Sequence, residues 1–513
     1  MIRATTGGVM KTYRYNLMNS FINMNKGMNT MLTQRTFNSF AEDPAAAARA
    51  FRLRKSRMTL ESQLDICTDA MGKYQQAVSC LQSIDDILCT KEGEYGQYMK
   101  TITGTTLSML NDPEGDAREQ LAKVLDQLSQ QIVQTMNQKY GDNFIFAGAD
   151  GHNVPFEIVN NKLYYRGVPV DAAMPNVLTD ANRNPLAVNA NGEIDPTADT
   201  YLNMDNVKLV SQNEYNSKYV VPDVYEYGDG TPVECNSDGS VYDPDNDDDP
   251  EHTGGYYKTL EGATAENPAD GLISIDEYNA IKDRAENTVF LTEDDGSGAG
   301  TTQLVTVNGK GELDENGTYY MIVDASQLMD KSDYDAAVQD YEKLQYLAAE
   351  TQFVDIGFGF QEDPITGKLI ETSAFNAALN GINFLGYGLD EDGDPKNIYS
   401  LIQKMKEVAD NASANDSWKT DWDEFNRLTG KLEKAVSTYQ TEYVNLDASS
   451  GKLKGQPELL VDNADTVWEQ YSSIEDVDMA EAITAFLWAQ YSYNAALRVG
   501  NSVLSQSLMD YLS

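Results

Sequence analysis

The stretch most able to do chemistry is "ENPADGLISIDE", residues 266–277. It aligns with the second half of a calcium-binding EF-hand loop. Gly271 stands at the sharp turn, Ile273 at the sheet position and Glu277 at the bidentate ligand, and "YNAIKDR" would open the exiting helix. Glu266, Asp270 and Glu277 are therefore the candidate calcium ligands. The first half departs from the pattern: Glu266 replaces the usual Asp, and Pro268 fills a ligand position. An ordinary turn followed by a helix N-terminus is the preferred reading. Asp476 and Asp478 in "IEDVDMAEAI" have the form of a DxD metal site, but carboxylates just before a helix favour its positive end, and capping is preferred.

Other chemistries find no footing. The two histidines, His152 and His252, lie outside any HExxH, and there is no GxSxG, no P-loop and no GxGxxG before a helix. Paired carboxylates abound, but no pair is singled out for glycoside hydrolysis. Cys67, Cys80, Cys89 and Cys235 show no CxxC spacing and read as unpaired small apolar residues. The expectation is a protein that is not an enzyme and needs no cofactor.

Charge narrows the class further. The 513 residues carry a formal net charge of −43, which repels nucleic acid and anionic membranes. No 18-residue apolar run is present to span a bilayer. The charge is also uneven. Residues 1–41 hold five bases and no acid, whereas residues 221–300 hold 21 acids against three bases. The last 32 residues contain only Arg498 and Asp510 as charges. Both chain ends thus lack the acidity of the middle.

The elements follow from periodicity. Met10, Tyr13, Leu17, Phe21, Met24, Met28 and Met31 recur at steps of three or four, one face of a helix. In "NSFAEDPAAAARAF" (38–51), Asp43 is a candidate N-cap and Pro44 suits the first helical position. A helical seam then runs from Leu64 to Leu88, and a second, through Leu121 to Tyr140, starts near "DPEG". At "GDNFIFAGADG" the period changes. "PFEIVNNKLYYRG" reads as two strands turning at Asn160-Asn161, with Phe156 and Ile158 opposite Leu163 and Tyr165. Strand and turn signals continue to about residue 395. Helical stripes return from Trp422 to Leu446, are expected to break at "SSGKLKG", and resume from Leu460 to Ile474. The last stripe takes in Ile483, Phe486, Tyr493, Leu497, Leu504 and Tyr511.

The expected fold is therefore α+β and multidomain, a long coiled-coil-like helical rod formed from both chain ends with a β-rich middle domain. Residues 1–41 form an N-terminal assembly helix and 42–140 the first half of the rod. Residues 141–395 form a β-rich outer domain with an acidic insertion at about 221–300. Residues 396–474 complete the rod and 475–513 form a C-terminal assembly helix. Short amphipathic helices gain little from propensity alone, so the terminal stripes are expected to need partners to fold.

Several blocks resemble one family. "QRTFNSFAEDPAAAARAFRL" (34–53) is similar to the "NSPSDDPVAAARAL"-type motif of flagellar hook-associated protein 3, the hook–filament junction family of the flagellin superfamily. "GDNFIFAG" matches the point where that family leaves its helical domain, and "NFLGYGLDEDGDPKNIYSLI" its return. "SIEDVDMAEAITAF" and "NAALRVGNSVLSQSLMDYL" resemble the C-terminus it shares with flagellin. The resemblance implies a non-enzymatic adaptor between hook-associated protein 1 and flagellin, standing in a ring of like subunits outside the cell. It implies export unfolded through the flagellar type III apparatus with a dedicated chaperone, and terminal helices that order on assembly. Met10, Tyr13, Leu17, Phe21, Met24, Met28, Ile483, Phe486, Tyr493, Leu497, Leu504 and Tyr511 would then be the assembly interface. A filament flagellin is the near alternative, and an exported calcium-binding adhesin or enzyme on a flagellar scaffold the far one.

Overall fold

The structure, a computed structural model, describes residues 6–89, 101–111, 115–245, 254–260, 269–294, 301–415 and 418–512. Its helices are α1 (Thr6–Thr33), α2 (Pro44–Leu88), α3 (Ile102–Leu110), α4 (Gly115–Met136), α5 (Gln212–Lys218), α6 (Ile275–Glu286), α7 (Lys331–Ala348), α8 (Gly381–Leu385), α9 (Ile398–Asn415), α10 (Trp418–Lys454), α11 (Gln456–Glu475) and α12 (Met479–Leu512). Short antiparallel sheets fill the middle of the chain, so the fold is α+β. The chain divides into two compact units: residues 1–170 with 347–513, and residues 171–346.

In the first unit α2 packs against α10 and α11, and α9 against α4 and α10. α2 starts sharply because the Asp43 carboxylate accepts from the Ala45 and Ala46 amides at 3.1 and 2.9 Å and Pro44 holds the first helical position. Ala46, Ala47 and Ala50 are buried, small enough for a neighbouring helix to come close. Further along, Leu81, Ile84 and Leu88 of α2 are buried, as is the α10 stripe of Phe425, Leu428, Leu432, Val436 and Tyr439, and α2 packs on the Tyr439 end of that stripe. The Tyr439 hydroxyl donates to the Leu81 carbonyl, so even the polar end of that ring is satisfied inside the core. The helix continues through most of "SSGKLKG" to Lys454 and breaks at its last residue, Gly455, before α11 begins. Leu453 is fully buried. Its burial, worth about 1.5–3 kcal/mol, outweighs the penalty of about 1 kcal/mol for Gly451 inside a helix.

Residues 353–395 and the strands before Val170 also belong to this helical unit. The hairpin of Phe156–Val159 and Lys162–Tyr165 pairs Phe156 with Tyr165 and Ile158 with Leu163. Asn160 and Asn161 make the turn with φ of 51° and 63°, the left-handed pair that a two-residue hairpin requires.

The second unit gathers Leu178, Val188, Leu202, Leu291, Val305, Val307, Met321 and Val323 into one core. Strands Lys208–Ser211, Thr306–Val307 and Tyr319–Ile322 form a three-stranded sheet within it. α7 is longer than the strand-and-turn signals of this region suggest. Its signal was present: Tyr334, Val338, Tyr341, Leu344 and Leu347 repeat at helical spacing and turn inward.

Among the described residues one turn recurs six times. Thr179, Val188, Glu226, Cys235, Val307 and Leu389 each bridge the residue six further on. The fifth residue of each segment is left-handed: Arg183, Gly192, Gly230, Gly239, Gly311 and Gly393. In four copies the second residue (Asp180, Asn189, Asn308 or Asp390) accepts with its side-chain oxygen from the amides two and four positions on. That bond pre-forms the turn, and glycine at the fifth place carries no Cβ penalty.

Candidate assembly interface

α1 and α12 pack on each other antiparallel. The Tyr13 side chain lies over Gly500, where any side chain would collide with its hydroxyl. The Phe21 and Tyr493 rings are 5.7 Å apart. A Cβ on Gly27 would stand 3.2 Å from the Phe486 backbone. These contacts set the inner faces. Met10, Tyr13, Leu17, Ser20, Met24, Gly27 and Met31 of α1 meet Ala482, Phe486, Ala489, Tyr493, Ala496 and Gly500 of α12. Large side chains of one helix rest on small residues of the other.

Of the twelve residues expected at the interface, Met10, Tyr13, Leu17, Met24, Phe486 and Tyr493 lie in this seam. Phe21, Met28, Ile483 and Leu497 lie at its edge or outside it, 39%, 37%, 41% and 42% exposed. Leu504 and Tyr511 lie outside the described side chains. The pattern of apolar bulk overlooked Ser20 with Gly27, and Ala482 with Ala489 and Ala496. Small residues seven apart were the available signal.

The outer surface of the pair also exposes large apolar side chains among its polar ones. Tyr15, Met18 and Ile22 on α1, and Trp488, Tyr491 and Val499 on α12, are exposed. The described residues of α1 carry no acid, and those of α12 carry only Glu481 and Asp510.

Two short connections join this pair to the body. Arg35 bridges Asp476. The Thr36 amide donates to the Glu475 carbonyl at 2.8 Å, and the Val477 amide to the Gln34 carbonyl at 3.2 Å. The buried Glu475 carboxylate pairs with Arg35 at 3.1 Å and with Arg54 of α2 at 3.3 Å. Arg54 also stacks on Tyr471, and Arg57 lies 4.2 Å over the Trp468 ring. Asp478 accepts from the Ala480 amide at 2.7 Å and so caps α12, whereas Asp476 closes the end of α11.

Asp390, Asp392 and Asp394 bring three carboxylates close enough for a metal ion, a constellation the sequence reading passed over in "DEDGD". A protein cation already stands among them. The Lys431 ammonium is 2.7 Å from Asp390 and 2.7 Å from Asp392, and it also pairs with Asp394, which Lys404 and Arg427 reach too. Burial by itself would raise the Asp394 pKa. Hydrogen bonds from Arg427, Lys404 and Lys431 outweigh it and hold the carboxyl well below the usual range. In the candidate calcium loop, Glu266 lies outside the described residues. Gly271 turns with φ 77°, Ile273 pairs with Tyr257, and Glu277 sits in the first turn of α6, its amide held by the Ser274 hydroxyl at 3.1 Å. All four cysteines are free, and burial pushes the thiols of Cys67, Cys80 and Cys235 up. Among the described residues no helix is long and apolar enough to cross a membrane.

The fold and the paired ends define a class: an α+β chain whose two ends meet in one helical pair that exposes large apolar side chains. No protein-family model matches the chain, and no curated protein does. Solved structures similar to it include flagellar hook-associated protein 3 from Legionella pneumophila, at 11% identity and a TM-score of 0.33, covering 82% of this chain and 98% of that one. Two crystal forms of FlgL from Xanthomonas campestris are also similar. One has 12% identity and a TM-score of 0.29 over 81% of this chain and 99% of that one. The other has 11% and 0.27 over 82% and 99%.

Proposed function

We propose that this chain is a structural subunit of the bacterial flagellum, an adaptor joining the hook, through hook-associated protein 1, to the flagellin filament. The observation that carries the reading is the α1–α12 pair, which seals small residues inside and leaves Tyr15, Met18, Trp488 and Tyr491 exposed. Such a surface is satisfied only by neighbours. Near-absence of acid there fits close packing about an axis, where a ring of like charges would repel. The acidic middle suits a surface turned to water. The motifs at 34–53 and 474–512 support the family, and the Pro after the acid pair at 42–44 favours the junction adaptor over flagellin. The subunit is exported unfolded by the flagellar type III apparatus with a chaperone, and forms a ring with copies of itself outside the cell.

Deletion of residues 480–513 tests this. The truncated chain is expected to stay folded and soluble yet fail to restore filament attachment in cells lacking the full chain. Filament growth on the truncated chain would sink the reading. Polymerisation of the purified full chain into long filaments would point to flagellin instead.

A further inference from the structure

The first turns of α2 carry bases and no acid. Between Pro44 and Leu60 stand Arg49, Arg52, Arg54, Lys55 and Arg57, without one Asp or Glu, in a chain of net charge −43. They divide by direction. Arg54 and Arg57 turn to α11, where they meet Tyr471, Glu475 and Trp468. At about 100° per residue, Arg49, Arg52 and Lys55 span an arc of about 120° on the other side of the helix, opposite buried Ala46, Ala47 and Ala50. All three bases are exposed. Among the described residues none of them has an ion-pair partner, and the α11 acid at this level, Glu475, is already held by Arg35 and Arg54.

Phe51 and Met58, 67% and 63% exposed, border the Lys55 side of this arc. A bare polyanion would leave them in water, whereas a protein partner would cover them. Along the axis the three bases rise about 4.5 Å for every three residues. Carboxylates three or four apart on a second helix match that interval, while alternate residues of a strand stand about 6.6 Å apart. The guanidinium groups of Arg49 and Arg52 suit carboxylates, which such forks hold through two parallel hydrogen bonds. The complement of this face is a helix with an acidic stripe beside an apolar one.

We propose that the outer face of α2 at Arg49, Arg52 and Lys55 docks an acidic amphipathic helix of another protein. The proposal goes beyond the flagellar reading and does not depend on it. Its probe is a labelled helical peptide of about 20 residues, built of Glu at steps of three and four with Leu alongside. Binding to the full chain is read by fluorescence anisotropy at low and at moderate salt. The full chain is expected to bind this peptide at least about tenfold more tightly than poly-L-glutamate, which offers charge without the helix or the Leu. Arg49→Gln/Arg52→Gln/Lys55→Gln is expected to weaken peptide binding at least about tenfold, and Phe51→Ser/Met58→Ser severalfold. Lys434→Gln/Lys452→Gln/Lys454→Gln removes as much charge from exposed positions of α10 and is expected to change little. No binding by the unaltered chain, an equal loss in the two charge variants, or equal affinity for poly-L-glutamate overturns the proposal. Self-association of the unaltered chain in sedimentation, lost in the α2 variant, assigns the face to a second copy and overturns it as well. If the α2 variant does not melt cooperatively, Arg52→Gln alone replaces it, and undiminished binding then overturns the proposal.

Discussion

The rings of Phe21 and Tyr493 lie 5.7 Å apart, joining the two ends of a 513-residue chain. Around that contact the seam alternates large and small, and its tightest point is Tyr13 over Gly500. Gly500→Leu should therefore part the helices. The expected result is faster hydrogen exchange in residues 10–31, with the α2–α10 core unchanged. Equal exchange in both chains would show that the seam does not depend on this approach.

The joint offers a second test. Glu475 is buried between Arg35 and Arg54. Removing its charge costs the charged hydrogen bonds, about 1.5–3 kcal/mol. Glu475→Gln should speed exchange at the Thr36 and Val477 amides by about tenfold or more, while Glu475→Asp should have a smaller effect.

The Asp394 cluster is a clasp between the return segment and α9 and α10. Asp394→Asn keeps the shape but leaves Lys404, Arg427 and Lys431 without their shared carboxylate. A loss of about 2–3 kcal/mol is expected in urea unfolding of the first unit. An unchanged midpoint would mean that the three bases find equal partners elsewhere.

The same residue sets a pH dependence. Its folded pKa is depressed, so its stabilisation is fully present above the unfolded value of about 3.9 and is lost as pH falls toward the folded value. Asp390 is depressed too: burial opposes this, but Lys431 and the turn amides prevail. Wild-type stability should decline below about pH 4 more steeply than that of Asp394→Asn. Parallel curves would assign acid unfolding to other groups.

Arg183 is the one non-glycine at the left-handed place of the six repeated turns, with φ 65°. Arg183→Gly should stabilise the second unit by up to about 1 kcal/mol, the cost of a Cβ in that region less the entropy of glycine. Gly311→Ala, at φ 82°, should destabilise it by a similar amount. Thermal melts of both variants decide the sign.

Much of this was legible because it is local. Asp43, Pro44 and the alanines specify a helix start through bonds spanning only three residues. Asn160-Asn161 specifies a turn, and its alternating flanks specify which side chains face each other. The acid-poor ends and their apolar stripes marked the two segments that pair as α1 and α12. The tertiary structure alone decided which stripe faces inward. Close approach selected Ser20, Gly27, Ala482, Ala489 and Ala496, because interhelical packing rewards small residues that a scale of apolar bulk ignores. It also brought Lys431 to Asp390, Asp392 and Asp394, and Glu475 to Arg35 and Arg54. Partners that far apart in the chain leave no periodic trace, since their pairing depends on how whole helices pack.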